Sequence, residues 1–166
     1  LSRLPSALES SEILSTSQKP LLTNLGQRLS QALASKVEEL QRYRSEFFGK
    51  LRQVLGGRPG IRVEGDRFVF QSELLFPSGS ADLAAEGQIQ LAQLATTLRR
   101  LMQEIPSEVN WVLRVDGHTD KVPIYNLRFP SNWELSTARA TSVVKFLMAQ
   151  GIPPERLAAA GFGEFN

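Results

Sequence analysis

The chain has 166 residues, of which 42% are hydrophobic and 22% charged, with no cysteine and one histidine. That length suits one well-buried domain with an appendage, and the missing cysteine excludes disulfides, thiolate metal sites and a cysteine nucleophile. Residues 1–60 carry nine Lys/Arg against five Asp/Glu and residues 61–166 ten against twelve, so the better-patterned part is slightly acidic, which argues against nucleic acid as a partner.

The chain opens on Leu1 rather than Met and holds no apolar run near the roughly 18 residues of a membrane span; a targeting or membrane segment is expected upstream. Residues 1–20 are rich in Ser and Leu, and Pro5 and Pro20 are expected to break them into a mobile lead-in with at most a short helix. From Leu22 the pattern changes: Leu25, Leu29, Leu33, Val37, Leu40, Tyr43, Phe47, Leu51 and Val54 follow at steps of three or four. This predicts an amphipathic helix over 21–55 with one apolar stripe, roughly 50 Å long. The stripe either packs on the chain's own domain or pairs with a second copy. Gly56-Gly57-Arg58-Pro59-Gly60 ends the helix as a hinge.

Beyond Gly60 the elements alternate. Ile61–Glu64 and Arg67–Gln71 read as strands around a Gly65-Asp66 turn, and Leu74 to Leu83 reads as a loop. Leu91, Leu94, Leu98, Leu101 and Ile105 mark a helix closed by Pro106. Trp111–Val115 is a strand running into Asp116-Gly117-His118-Thr119-Asp120, followed by a loop with Pro123 and Pro130. Ser131-Asn132-Trp133-Glu134 fits a capping box that opens a second helix, which Gly151 and Pro153-Pro154 stop. Leu157–Ala160 is a last strand. The expected fold is α/β (α+β): a β-α-β-α-β sandwich of helices on one mixed sheet, preceded by the long helix. The domains are then 1–20, 21–60 and 61–166.

Val115 to Ala140 holds the groups able to do chemistry. Asp116, His118 and Asp120 could form a metal or hydrolytic site, but there is no second His, no His-Glu-x-x-His helix and no nucleophile elbow. Asp120 and Arg139 could be an ordinary ion pair joining loop to helix. Or they could recognise a zwitterion, the carboxylate taking an ammonium while the arginine fork and the helix amides near Asn132 and Trp133 take a carboxylate.

Gly117-His118-Thr119-Asp120, then Arg128-Phe129-Pro130-Ser131-Asn132-Trp133-Glu134-Leu135-Ser136 with Arg139-Ala140, closely resembles MotB-type members of the OmpA-like family. Leu75-Phe76-x-x-Gly79-x-Ala81-x-Leu83 looks like the family's opening block, and Gly151-Ile152, Arg156-Leu157 and Gly161-x-Gly163-Glu164 look like its later one. The resemblance covers 61–166, and the Phe-Pro-Ser-Asn-Trp-Glu-Leu-Ser run favours the flagellar stator branch over the porin branch. It implies non-catalytic, non-covalent binding of the peptidoglycan stem peptide. Asp120 would pair with the ammonium of diaminopimelate and Arg139 with its carboxylate, while Asn132, Thr119 and Leu135 line or shape the pocket. It implies no cofactor, no metal, a periplasmic location and a tether to the inner membrane through an N-terminal segment or channel partner. A homodimer through the 21–55 helix is the further expectation. A general envelope tether unrelated to flagella, or a cell-wall hydrolase, are the alternatives. Because the family continues past Gly163-Glu164, the C-terminal part of the domain is expected to be missing.

Overall fold

The computed structural model describes residues 3–165, and the side chains of these except 3–7 and 14. The chain divides into two compact units, one up to Ser45 and one from Glu46 onward.

Helix α1 spans Arg3–Leu55 with Pro20 inside it. The expected break at Pro20 is absent. A helical proline removes one backbone bond and crowds the preceding turn, at a cost of about 3 kcal/mol. Thr16, whose carbonyl loses its partner, is exposed, so water can satisfy it. In the first unit the apolar stripe is uncovered: Leu22 is 64% exposed, Leu29 61% and Leu33 58%.

The second unit begins at Glu46, so the last turns of α1 belong to the domain itself; the sequence pattern puts that boundary at the glycine-rich hinge. Leu51 and Leu55 are buried in the main core, with Phe47 packed against it. Phe47 meets Trp111 and Phe48 meets Phe68 at centroid distances of 6.0 and 4.8 Å. Lys50 pairs with Glu104, and Arg58 donates to the Gln93 amide oxygen. Gly57 then turns the chain out of the helix at φ 78°, a conformation open to glycine without a Cβ penalty.

Strands β1 (Ile61–Glu64) and β2 (Arg67–Phe70) form an antiparallel hairpin, with Glu64 opposite Arg67 across the Gly65-Asp66 turn. A single turn, α2 (Ser72–Leu75), occupies the start of the segment expected to be loop and buries Leu75. Helix α3 (Ala85–Met102) buries Leu91, Leu94, Leu98 and Leu101, the stripe its periodicity predicts. Strand β3 (Leu113–Gly117), helix α4 (Asn132–Ala149) and strand β4 (Leu157–Gly161) make a βαβ unit, the two strands parallel with Leu113 opposite Leu157 and Gly117 opposite Gly161. Parallel neighbours need such a crossover.

The α/β class with a long leading helix is as expected, but its single mixed sheet is not. Among the described residues the strands form two separate pairs, β1–β2 and β3–β4. One is closed by a local turn and the other by a helical crossover, and no strand bridges them. One core of Leu91, Leu98, Val143, Leu147 and Ile152, with Leu51 and Leu55 from the end of α1, underlies the two pairs.

Candidate functional site

Helix α4 starts as its capping box dictates. The Ser131 hydroxyl oxygen accepts from the Trp133 amide at 3.2 Å and donates to the Glu134 carboxylate. That hydrogen bond holds the Glu134 carboxyl below its usual range, and a negative charge in the first turn suits the helix dipole. The Trp133 amide, expected to be free for a ligand carboxylate, is therefore already taken.

The helix lies hard against the strand ends. A Cβ on Gly117 would sit 2.0 Å from the Ser136 carbonyl oxygen, and one on Gly161 would sit 2.1 Å from the Thr137 hydroxyl. This close approach lays the loop after β3 beside the turn after β4. Phe162 N–H donates to the Gly117 carbonyl at 2.9 Å, Thr119 N–H to the Gly163 carbonyl at 2.8 Å, and Gly163 N–H to the buried Ser136 hydroxyl at 2.9 Å.

Asn132 is 7% exposed and fastens the same loops from below. Its amide nitrogen donates to the Glu164 carboxylate at 2.7 Å and to the Val122 carbonyl at 3.1 Å, with the Asp120 carbonyl at 3.5 Å. Leu135 is 4% exposed and packs with Ala81 and Phe129 in a small second core. Both side chains are buried, and neither lines the main cleft of the second unit. Thr119 donates its hydroxyl to the Asp120 carbonyl at 3.0 Å and lines the main cleft of the second unit, as do Arg139 and Glu164.

Asp120 is exposed, and one carboxylate oxygen accepts from the Val122 amide at 3.1 Å, fixing the loop in a tight turn. Arg139 is aimed by a different part of the chain. Its Nε donates to the Ser80 carbonyl at 2.8 Å and its Nη2 to that of Pro77 at 3.4 Å, with the guanidinium over the Phe76 ring at 5.2 Å. Partial burial lowers the Arg139 pKa, and the negative charges of Asp120 and Glu73 oppose that shift. Asp120 and Arg139 thus feel one another but do not form an ion pair. Nη1 of Arg139 has no hydrogen-bond partner among the described residues.

The loops that carry these charges are themselves tied together. Arg128 holds Asp82 through two hydrogen bonds of 3.0 and 3.2 Å, which keep the Asp82 carboxyl below its usual range. Ser142 donates to the Ala81 carbonyl at 2.6 Å. Glu164, Ser80 and Pro77 escape a reading of spacing, because each acts across a long stretch of chain; Glu164 alone sits in a motif that the sequence singles out.

The competing triad of Asp116, His118 and Asp120 is not assembled. Asp116 takes both of its bonds from Arg114, at 2.7 and 2.9 Å, and the His118 ring stacks on Phe162 at 5.0 Å. Among the described residues no group of three or more His, Cys, Asp or Glu is placed to hold a metal ion.

Residues 75–166 match the model of the OmpA family. The outer membrane protein A of Serratia odorifera is 39% identical over 102 residues, which are 61% of this chain and 38% of that protein; the chain thus spans well under half of this curated relative. Among solved structures, a MotB-like protein from Desulfovibrio vulgaris superposes with a TM-score of 0.63 at 29% identity, covering 78% of this chain and 80% of that one. The cell wall anchor of the T6SS from Pseudomonas aeruginosa superposes with a TM-score of 0.54 at 31% identity, covering 76% and 80%.

Proposed function

The chain belongs to the OmpA family, and from that premise we propose that its second unit is a non-catalytic peptidoglycan-binding module that anchors an envelope protein to the cell wall from the periplasm. The ligand is the stem peptide. Asp120 receives the ammonium of diaminopimelate, and Arg139 receives its carboxylate.

The observation that carries this reading is the pair of opposite charges held close but unpaired, each fixed by its own backbone contacts. An amino-acid zwitterion presents both charges a short distance apart, and a guanidinium with a free nitrogen offers a charge-assisted bond to its carboxylate. The solved cell wall anchor that superposes on this chain supports the same reading.

The first unit supplies the tether. Among the described residues no helix is long and apolar enough to cross a membrane, so a membrane segment or channel partner would lie outside them. The uncovered stripe of Leu22, Leu25, Leu29, Leu33 and Val37 pairs with a second copy of the same helix. The flagellar stator reading and a general envelope tether share this module; a deletion that stops swimming favours the first, and one that only loosens the envelope favours the second.

Co-sedimentation with purified diaminopimelate-type peptidoglycan tests the module. Asp120→Asn keeps an acceptor for the Val122 amide and loses the charge, while Arg139→Ala removes the fork. Wild type pellets and both variants stay in solution with unchanged circular dichroism. Equal pelleting of all three would leave the fold and sink the site.

A further inference from the structure

Two loops hold the opposite charges of the proposed site, and each is fixed by its own contacts. In the first, residues 77–82, the Pro77 and Ser80 carbonyls accept from Arg139, and the Ala81 carbonyl accepts from Ser142. Arg139 and Ser142 lie three positions apart on one face of α4, so the helix grips this loop through both. In the second, residues 118–131, the Val122 carbonyl accepts from Asn132 at 3.1 Å. The Asn126 side-chain oxygen accepts from the Arg128 and Phe129 amides at 2.9 and 2.7 Å. The first loop aims Arg139, and the second carries Asp120.

The two loops meet in two ways. One is apolar: Ile124 lies against Gly79, its Cδ1 3.3 Å from where a Cβ would stand, and Phe129 packs with Ala81 in the small second core. Such contact is non-directional and leaves the register of the loops open. The other is directional. The Arg128 guanidinium donates to both Asp82 carboxylate oxygens, at 3.0 and 3.2 Å, and a two-bond fork of this kind fixes orientation as well as distance. The Asp82 amide donates to the Ser80 hydroxyl oxygen at 3.0 Å. The carboxylate is thereby tied to the same residue whose carbonyl aims Arg139. As an exposed ion pair, Asp82–Arg128 adds little to folding stability. Neither residue lines the main cleft.

We infer that Asp82 and Arg128 are positioning residues, whose ion pair sets the span between Asp120 and Arg139 so that both ends of one zwitterion are held at once. The inference rests on the zwitterion reading of the site. A ligand held at one end tolerates a change of span, whereas a ligand held at both ends does not. The pair therefore acts on discrimination between ligands and touches none of them.

The test is titration calorimetry of the 166-residue chain with two soluble stem tripeptides, one ending in diaminopimelate and one in lysine. Wild type favours the first at least about tenfold. Asp82→Asn and Arg128→Gln each weaken the diaminopimelate peptide about fivefold, the upper range for an exposed ion pair. They leave the lysine peptide and the circular dichroism unchanged, so a tenfold preference falls to about twofold. The charge-swapped chain, Asp82→Arg with Arg128→Asp, recovers most of the preference. Single variants that keep the full preference beside a discriminating wild type overturn the inference and leave the site standing. Equal weakening of both peptides also overturns it, because loss of folded protein would then explain the effect. So does a swapped chain no better than the single variants. A wild-type chain that binds both peptides alike, or neither, overturns the zwitterion reading itself and this inference with it.

Discussion

The two units carry the same helical signal and use it in opposite ways. Leu22, Leu29 and Leu33 in the first recur at helical spacing and are 58–64% exposed, whereas Leu91, Leu98 and Leu101 on α3 of the second recur at such spacing and are 1–2% exposed. The period of a stripe identifies the face of a helix; it does not identify what covers that face. In α3 and α4 the cover is the chain's own strand pairs and the end of α1, and in the first unit the stripe is left exposed.

That contrast can be broken experimentally, starting with its strongest point. Leu147→Ala removes a fully buried side chain and is expected to cost about 2–5 kcal/mol in urea unfolding; a loss below about 1 kcal/mol would mean that the core relaxes around the site. Gly117→Ala forces a methyl group onto the Ser136 carbonyl, and about 1–3 kcal/mol should be lost as helix and strand separate. Ser131→Ala removes the cap of α4 and should lower the thermal midpoint by the equivalent of about 1 kcal/mol. Leu29→Ala, in the exposed stripe, should change unfolding by no more than about 0.5 kcal/mol, while sedimentation equilibrium shifts toward the monomer. A large unfolding loss there with no change in mass would assign the stripe to an intramolecular contact.

The smallest effect is a pH response. Arg128 depresses the Asp82 carboxyl, so the tie between their loops is fully present above the ordinary aspartate pKa of about 4. It is lost as the pH falls through the lower folded value. Both groups are exposed, so the expected sign is local: resonances of residues 80–84 and 126–129 broaden on acidification while the core of α3 and α4 is unmoved.

Much of the second unit is legible in the sequence because its signals are local. The Gly65-Asp66 turn, the stripe of α3 and the Ser131–Glu134 capping box each lie within a few residues of what they determine. The site is legible only in part. Asp120 and Arg139 can be singled out, but what aims Arg139 is a pair of carbonyls about sixty positions away in the chain, at Ser80 and Pro77. That Asn132 and Leu135 are buried is not legible in the motif, because burial depends on which loops return over the helix. Pro20 misleads for a different reason: a helix-breaking tendency is a cost, and an exposed helix whose freed carbonyl meets water can bear it.

The central claim is that the site reads both ends of a zwitterion. Titration calorimetry with two soluble stem tripeptides tests it most directly, one ending in diaminopimelate and the other in lysine, which keeps the ammonium and lacks the second carboxylate. Losing one charge-assisted bond of about 1.5–3 kcal/mol should weaken the lysine peptide at least about tenfold, and Arg139→Ala should bring the two peptides level. Equal affinity of the wild-type chain for both peptides would contradict the account.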